Sequence, residues 1–165
     1  MTTLVTKDTI QPTLFNSLAT LTGSQTLTNK TIKTTKELVN IVNDAPTSTT
    51  NFDVVTQAIS VYNSNATTNF SLNVRADSTT PMSSVLAVGE SIGIGLIVSN
   101  GNSNYYLTSI VIDGVNQPIL YQSGIPITTG NSNSKDMYNI FIMRTGIVSA
   151  GVGSYLVFAS LTKFA

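Results

Sequence analysis

The reactive side chains of this chain are few and scattered. Its eight acidic residues are Asp8, Glu37, Asp44, Asp53, Asp77, Glu90, Asp113 and Asp136, and no two lie close in sequence. A paired-carboxylate glycosidase needs two at about 5–10 Å, so only the fold could assemble such a pair. His and Cys are both absent. The commonest general base and the thiolate nucleophile are therefore missing, and no Ser or Thr has an evident activating partner. Lys30, Lys33 and Lys36 stand in a Thr-rich stretch and read as a solvated face or a contact to an acidic partner ahead of a phosphate site. Gly93-Ile94-Gly95 lacks the third glycine and the strand-to-helix setting of a dinucleotide fingerprint. It reads as a bent or bulged strand, or as a close approach of two backbones. Asp77, Asp113 and Asp136 offer the oxygen chemistry of Ca²⁺ binding, but the stretch Asn131–Asp136 has no EF-hand or repeat spacing, and turn stabilisation is the plainer reading. The expectation is a chain that is not an enzyme, with no catalytic, cofactor-binding or metal-binding residues.

The residues favour recognition over turnover. Tyr105 and Tyr106 follow an Asn/Gly/Ser loop and Tyr121 precedes Gly124-Ile125-Pro126. A Tyr at a strand end packs its ring and leaves the hydroxyl at the water boundary, so each is a candidate for surface recognition as well as for rim packing.

Composition narrows the class of partner. The 165 residues have a formal net charge of +0, so no broad electrostatic footprint for nucleic acid or an anionic membrane is expected. Only 10% are charged, against about 25% in ordinary globular domains, while 41% are hydrophobic, enough for a core. Thr, Ser and Asn supply the polarity, in keeping with strand surfaces and turns. No apolar run reaches the roughly 18–20 residues that span a bilayer. The residues Met1–Lys7 lack the charged and apolar regions of a signal peptide. The expectation is a protein made in a cytoplasm and carried outside the cell by assembly into a particle.

The elements that would position these residues are strands. Phe70–Arg75 alternates strictly, with Phe70, Leu72 and Val74 on one side. Further strands are expected within Phe52–Tyr62, Ser84–Val88, Ser91–Val98, Tyr105–Ile112, Val115–Tyr121, Met137–Arg144 and Ser154–Leu161. Asn100-Gly101 and Asp113-Gly114 are hairpin-type dipeptides, residues 124–134 form a loop, and residues 146–153 a glycine-rich turn. Strands at spacings of roughly 8–12 residues predict an all-β fold, an antiparallel β-sandwich or jelly roll, over residues 46–165. Helix evidence is thin, limited to weak patterns at 14–21 and 33–42.

Residues 1–45 form a separate, extended segment. Leu21, Leu27 and Ile32 are isolated among Thr residues and cannot alone offset the entropy of ordering that stretch. They are the candidate interface residues of an intersubunit stem or of an anchor to a larger assembly. A flexible Thr-rich tail is the plain alternative.

The stretch Leu21-Thr22-Gly23-Ser24-Gln25-Thr26-Leu27-Thr28-Asn29-Lys30-Thr31-Ile32 resembles a segment of tail-fibre and virion structural proteins of tailed bacteriophages, especially those of marine bacteria and cyanobacteria. Tyr106–Val115, Gly124-Ile125-Pro126, Asp136–Ile140 and Ser154–Phe164 resemble the small β domain of the same group, which commonly carries a Trp where this chain has Tyr121. Together these marks touch most of residues 18–164. The resemblance implies a trimeric, cofactor-free virion protein held to tail or capsid through residues 1–45, with a host-surface glycan or protein as a candidate partner. A short tail fibre or spike, a capsid decoration or head fibre, and a polysaccharide depolymerase are the three forms this could take, the last disfavoured by the small domain.

Overall fold

The computed structural model of the chain describes residues 36–147 and 153–165. Leu21, Leu27 and Ile32 lie outside them, as does the weak helical pattern at 14–21. The chain divides into two units, residues 1–36 and Glu37–Ala165.

The second unit is all-β. Its strands are β1 (Val39–Val42), β2 (Thr49–Asp53), β3 (Ile59–Asn65), β4 (Phe70–Arg75), β5 (Ser91–Asn100), β6 (Leu107–Ile112), β7 (Val115–Gln117), β8 (Ile119–Tyr121), β9 (Ser134–Ile147) and β10 (Gly153–Phe164). They form a six-stranded sheet in the order β1-β3-β5-β9-β10-β8 and a four-stranded sheet in the order β2-β4-β6-β7. From β1 to β6 the chain places one strand in the first sheet, the next in the second, and so on in turn. Neighbours within a sheet are thus a full circuit apart and run the same way. Among the described residues, pairs β1·β3, β3·β5, β2·β4, β4·β6 and β8·β10 are parallel, and β5·β9, β9·β10 and β6·β7 are antiparallel. The all-β expectation holds, and only its antiparallel pairing is corrected: both sheets are mixed. The pairs β1·β3, β3·β5, β2·β4 and β4·β6 need no crossover helix, because a strand of the opposite sheet carries the chain back between them, and β9 of the same sheet does so between β8 and β10.

Several local expectations are refined. Val115–Tyr121 is not one strand. Pro118 separates β7 from β8, which join different sheets; a residue without a backbone N–H suits that crossing. Residues 84–88 form no strand. A short 3₁₀ turn at Met82–Ser84 stands there, and Met82 and Leu86 are buried. Val39–Val42 is a strand paired in register with Ile59–Tyr62, so the β unit takes in residues that the sequence pattern assigns to the N-terminal segment. Asp113 and Gly114 have φ of 51° and 79°, the left-handed pair that a type I′ hairpin turn requires.

Inward side chains of both sheets make one hydrophobic cluster. Phe52, Phe70, Leu72, Val74, Ile110 and Ile112 from the four-stranded sheet meet Leu96, Val98, Tyr138, Ile140, Ile142 and Val157 from the six-stranded one. Tyr138 is fully buried at the centre, edge-on to Phe70 with centroids 6.0 Å apart. Its hydroxyl oxygen accepts from the Leu107 N–H at 3.2 Å, linking the two layers by a polar contact as well. Arg144 is buried and donates from Nη1 to the carbonyls of Ser83 and Leu86, both at 2.8 Å, which fastens the long β4–β5 connection to β9.

The outer faces of the two sheets differ in kind. On the four-stranded sheet, outward residues of β2 and β4 are polar and pair across strands in register. Asn73 Nδ2 donates to Asn51 Oδ1 at 2.9 Å, and Arg75 Nε pairs with Asp53 Oδ1 at 2.5 Å. On the six-stranded sheet the outward rows are largely apolar. One row reads Gly93–Phe141–Phe158–Leu120, a second Ile59–Gly95–Asn139–Ser160, and a third Ile41–Val61–Ile97–Met137–Thr162.

Candidate functional site

A concavity of about 710 Å³ lies on that outer face, within the range of ordinary binding sites. Its floor is made by residues without side chains. A methyl group at Gly93 would meet no atom within 4 Å, and one at Gly95 would touch Ile59 Cγ1 at 3.5 Å and Met137 Cε at 3.7 Å. The two glycines therefore serve neither a bulge nor a close passage of backbones. The contacts at Gly95 are ordinary van der Waals distances, so a methyl group would fit there between Ile59 and Met137, and Gly93 leaves an open notch. One wall is Phe141 and Phe158, register partners whose rings are tilted by 57° at 6.1 Å, each about two-fifths exposed (40% and 39%). Leu120 extends that wall, 49% exposed. Glu37, Gln122, Asn139 and Ser160 add polar groups to the lining.

Of the three tyrosines singled out from sequence, Tyr121 contributes to this lining; it is half-buried and also packs against the core. Burial pushes its phenol pKa above the ordinary value. Tyr105 and Tyr106 are not part of the site. Tyr105 packs against the core, and its carbonyl accepts from Asn100 Nδ2 at 3.0 Å. Tyr106 is half-buried, and its N–H donates to Asn69 Oδ1 at 3.1 Å. Phe141, Phe158, Leu120 and Met137 escape the sequence reading. A signal for them is present: Ile140-Phe141-Ile142-Met143 and Leu156-Val157-Phe158-Ala159 are unbroken apolar runs, the pattern of strands apolar on both faces.

No protein-family model, curated protein or solved structure matches the chain.

The acidic residues mostly hold the backbone in place. Asp77 accepts from the Thr79 N–H (2.7 Å), the Thr79 hydroxyl (2.9 Å) and the Thr80 N–H (2.8 Å), and these bonds, that of the Thr79 N–H first, lower its pKa to about 2. Asp113 accepts from the Met82 N–H at 2.9 Å, and burial outweighs that bond, so its pKa is raised. Glu90 accepts from the Ala87 N–H at 2.8 Å. Asp136 is completely buried and accepts from Asn100 Nδ2 (3.1 Å), Asn131 N–H (3.0 Å) and Asn131 Nδ2 (2.7 Å). Among the described residues no three His, Cys, Asp or Glu side chains converge on a possible metal position.

Asp136 ties the loop before β9 to the end of β5, and Gly130 is the close-fitting residue of that knot. A methyl group there would collide with the Tyr105 carbonyl and stand 2.9 Å from both Asn100 Nδ2 and Asp136 Oδ2. Gly130→Ala is expected to lower stability by about 2 kcal/mol in urea unfolding, because backbone on one side and a buried polar knot on the other must both shift.

Proposed function

We propose that this chain is a non-enzymatic structural protein of a bacteriophage particle surface. It is a trimeric short tail fibre or spike, joined to the particle through residues 1–45 and engaged in host attachment. The observation that carries the reading is the apolar outer face of the six-stranded sheet, where, among the described residues, Phe141 and Phe158 are 40% and 39% exposed beside a large concavity. A contiguous apolar face of this kind is expected of a chain that acts within an assembly. The resemblance of Leu21–Ile32 and of the closing Ser154–Phe164 to virion proteins supplies the kind of assembly. The commitment of Asp77, Asp113, Glu90 and Asp136 to backbone and loop contacts accords with binding in place of turnover.

Immunogold labelling with an antibody to this chain, on particles released from a producing culture, tests the reading. Label at the tail tip in a few copies per particle is the expected result. Label spread over the head would replace the spike by a capsid decoration, and particles without label would overturn the virion reading altogether.

A further inference from the structure

We infer that the concavity on the outer face of the six-stranded sheet is a binding site for a neutral oligosaccharide. The site lies in the β unit. It deepens the attachment role of the proposed function, on which it rests, by naming the chemistry that is engaged and the residues that engage it.

Two rows of opposite character cross this face side by side. On β9, Phe141 follows Asn139 by two positions; on β10, Phe158 precedes Ser160 by two; and Leu120 of β8 precedes Gln122 by two. Because β9 runs against β10 and β8 runs with it, the apolar members align in one row and the polar members in the next. All six line the concavity. The rows stand about 7 Å apart, two residues of strand, which is the breadth of a sugar ring with its hydroxyls.

The fold makes no use of the polar row. On the outer face of the four-stranded sheet polar side chains satisfy one another, Asn73 with Asn51 and Arg75 with Asp53. Among the described residues no hydrogen bond engages the side chain of Asn139, Ser160 or Gln122, although Asn139 and Ser160 are register partners. Amides and hydroxyls both donate and accept, and sugar hydroxyls do the same in return. In the neighbouring row the Phe rings are about two-fifths exposed. The C–H groups on the face of a sugar ring pack against such rings by dispersion and weak C–H contacts. A hydrocarbon ligand would strip water from the amides and leave them unpaired, at a cost for each. A ligand with an apolar face and a rim of hydroxyls satisfies both rows at once.

Charge narrows the class further. Among the described residues Glu37 is the one charged residue of the lining, and no Lys or Arg stands there to pair with a carboxylate, sulfate or phosphate on a ligand. Acidic sugars are thereby disfavoured, whereas the Glu37 carboxylate can accept from the hydroxyls of a neutral one. With about 710 Å³ the concavity has room for more than one sugar ring. Hydrolysis of a glycosidic bond takes two carboxylates; a lining with one suits binding without turnover.

The test is binding of the full chain to an array of neutral oligosaccharides of glucose, galactose and N-acetylglucosamine, set beside uronate- and sialate-bearing counterparts, with calorimetric titration of the best neutral binder. Retention of neutral members ahead of acidic ones is expected. Phe158→Ala and Asn139→Ala take one residue from each row, and each should weaken the titrated binding about tenfold. Asn51→Ala, on the opposite sheet, should leave it unchanged, and circular dichroism checks that every variant is folded. Should one row variant misfold, the other still decides. Failure to bind any neutral member, preference for the acidic ones, or binding that survives both row substitutions would each overturn the site. Particle labelling reports separately. Labelled particles together with a chain that binds no oligosaccharide would remove this site and leave the virion reading standing. Row-dependent binding by a chain absent from particles would keep the site and remove the virion reading.

Discussion

Tyr138→Ala is expected to cost about 4 kcal/mol, the largest loss from any single truncation in the β unit. Tyr138 is completely buried and is the bulkiest of the fully buried side chains. It touches both layers, through the ring of Phe70 and through the Leu107 N–H. Truncation would leave a cavity at the centre of the core, where surrounding strands have little freedom to collapse, and removals of large core side chains typically cost about 3–5 kcal/mol. The Leu107 N–H would also lose its acceptor at a buried position. A domain of this size has about 5–15 kcal/mol in total, so the variant should be partly unfolded at about 37 °C and show a sharply lower urea midpoint. Tyr138→Phe separates the two contributions: it keeps the ring and loses only the hydroxyl, with an expected cost of about 1–2 kcal/mol. Phe158→Ala supplies the contrast. A similar ring is removed from the outer face, and the monomer should lose under ~0.5 kcal/mol. Equal losses at Tyr138 and Phe158 would contradict the division between inner and outer faces.

Asp136→Ala should cost about 3 kcal/mol net. Three donors converge on this carboxylate: Asn100 Nδ2, the Asn131 N–H and Asn131 Nδ2, the last at 2.7 Å. Removing the acceptor strands these donors in a region with little access to water, at about 1–3 kcal/mol for each buried group left unmade, and local relaxation recovers part of the loss. The effect should also be local in a way that cavity formation is not. Hydrogen exchange at the Asn131 amide should accelerate, together with that of the Gly130 N–H, which donates to the Asn104 carbonyl at 3.1 Å. Amides in β4, held from the far side of the core, should retain their order of protection relative to global unfolding. Uniform acceleration across the domain would mean that Asp136 sustains the fold as a whole and not this loop knot.

Legibility in the residues varies from element to element. Phe70–Arg75 reads with the bounds that the fold gives it, because strict alternation leaves one way to place Phe70, Leu72 and Val74 against a core. The Asp113-Gly114 hairpin is equally plain, since few dipeptides accept two left-handed residues. All-β character, the loop after Gly124 and the last two strands follow from the same local rules, but the fold extends Met137–Arg144 to Ser134–Ile147 and Ser154–Leu161 to Gly153–Phe164. Tyr121 stands out for its position before a loop, but the aromatic wall of the site belongs to Phe141 and Phe158.

Packing of the β unit was needed to fix which strand lies beside which, in what direction, and which apolar face turns to the core. Side-chain alternation says which residues share a face of a strand and nothing about its neighbour, so the parallel ladders β1·β3·β5 and β2·β4·β6 are invisible beside the more familiar antiparallel alternative. Val115–Tyr121 has the residues of one strand, and only the competition of two sheets for its two halves divides it at Pro118. In Ile140–Met143 and Leu156–Ala159 both faces are apolar, so alternation along these strands does not say which face turns to the core. Ile140, Ile142 and Val157 face inward, and Phe141 and Phe158 outward, because the four-stranded sheet can cover only one side. Burial of apolar area has no direction of its own; among the described residues the four-stranded sheet covers one face, and Phe141 and Phe158 stay about two-fifths exposed on the other.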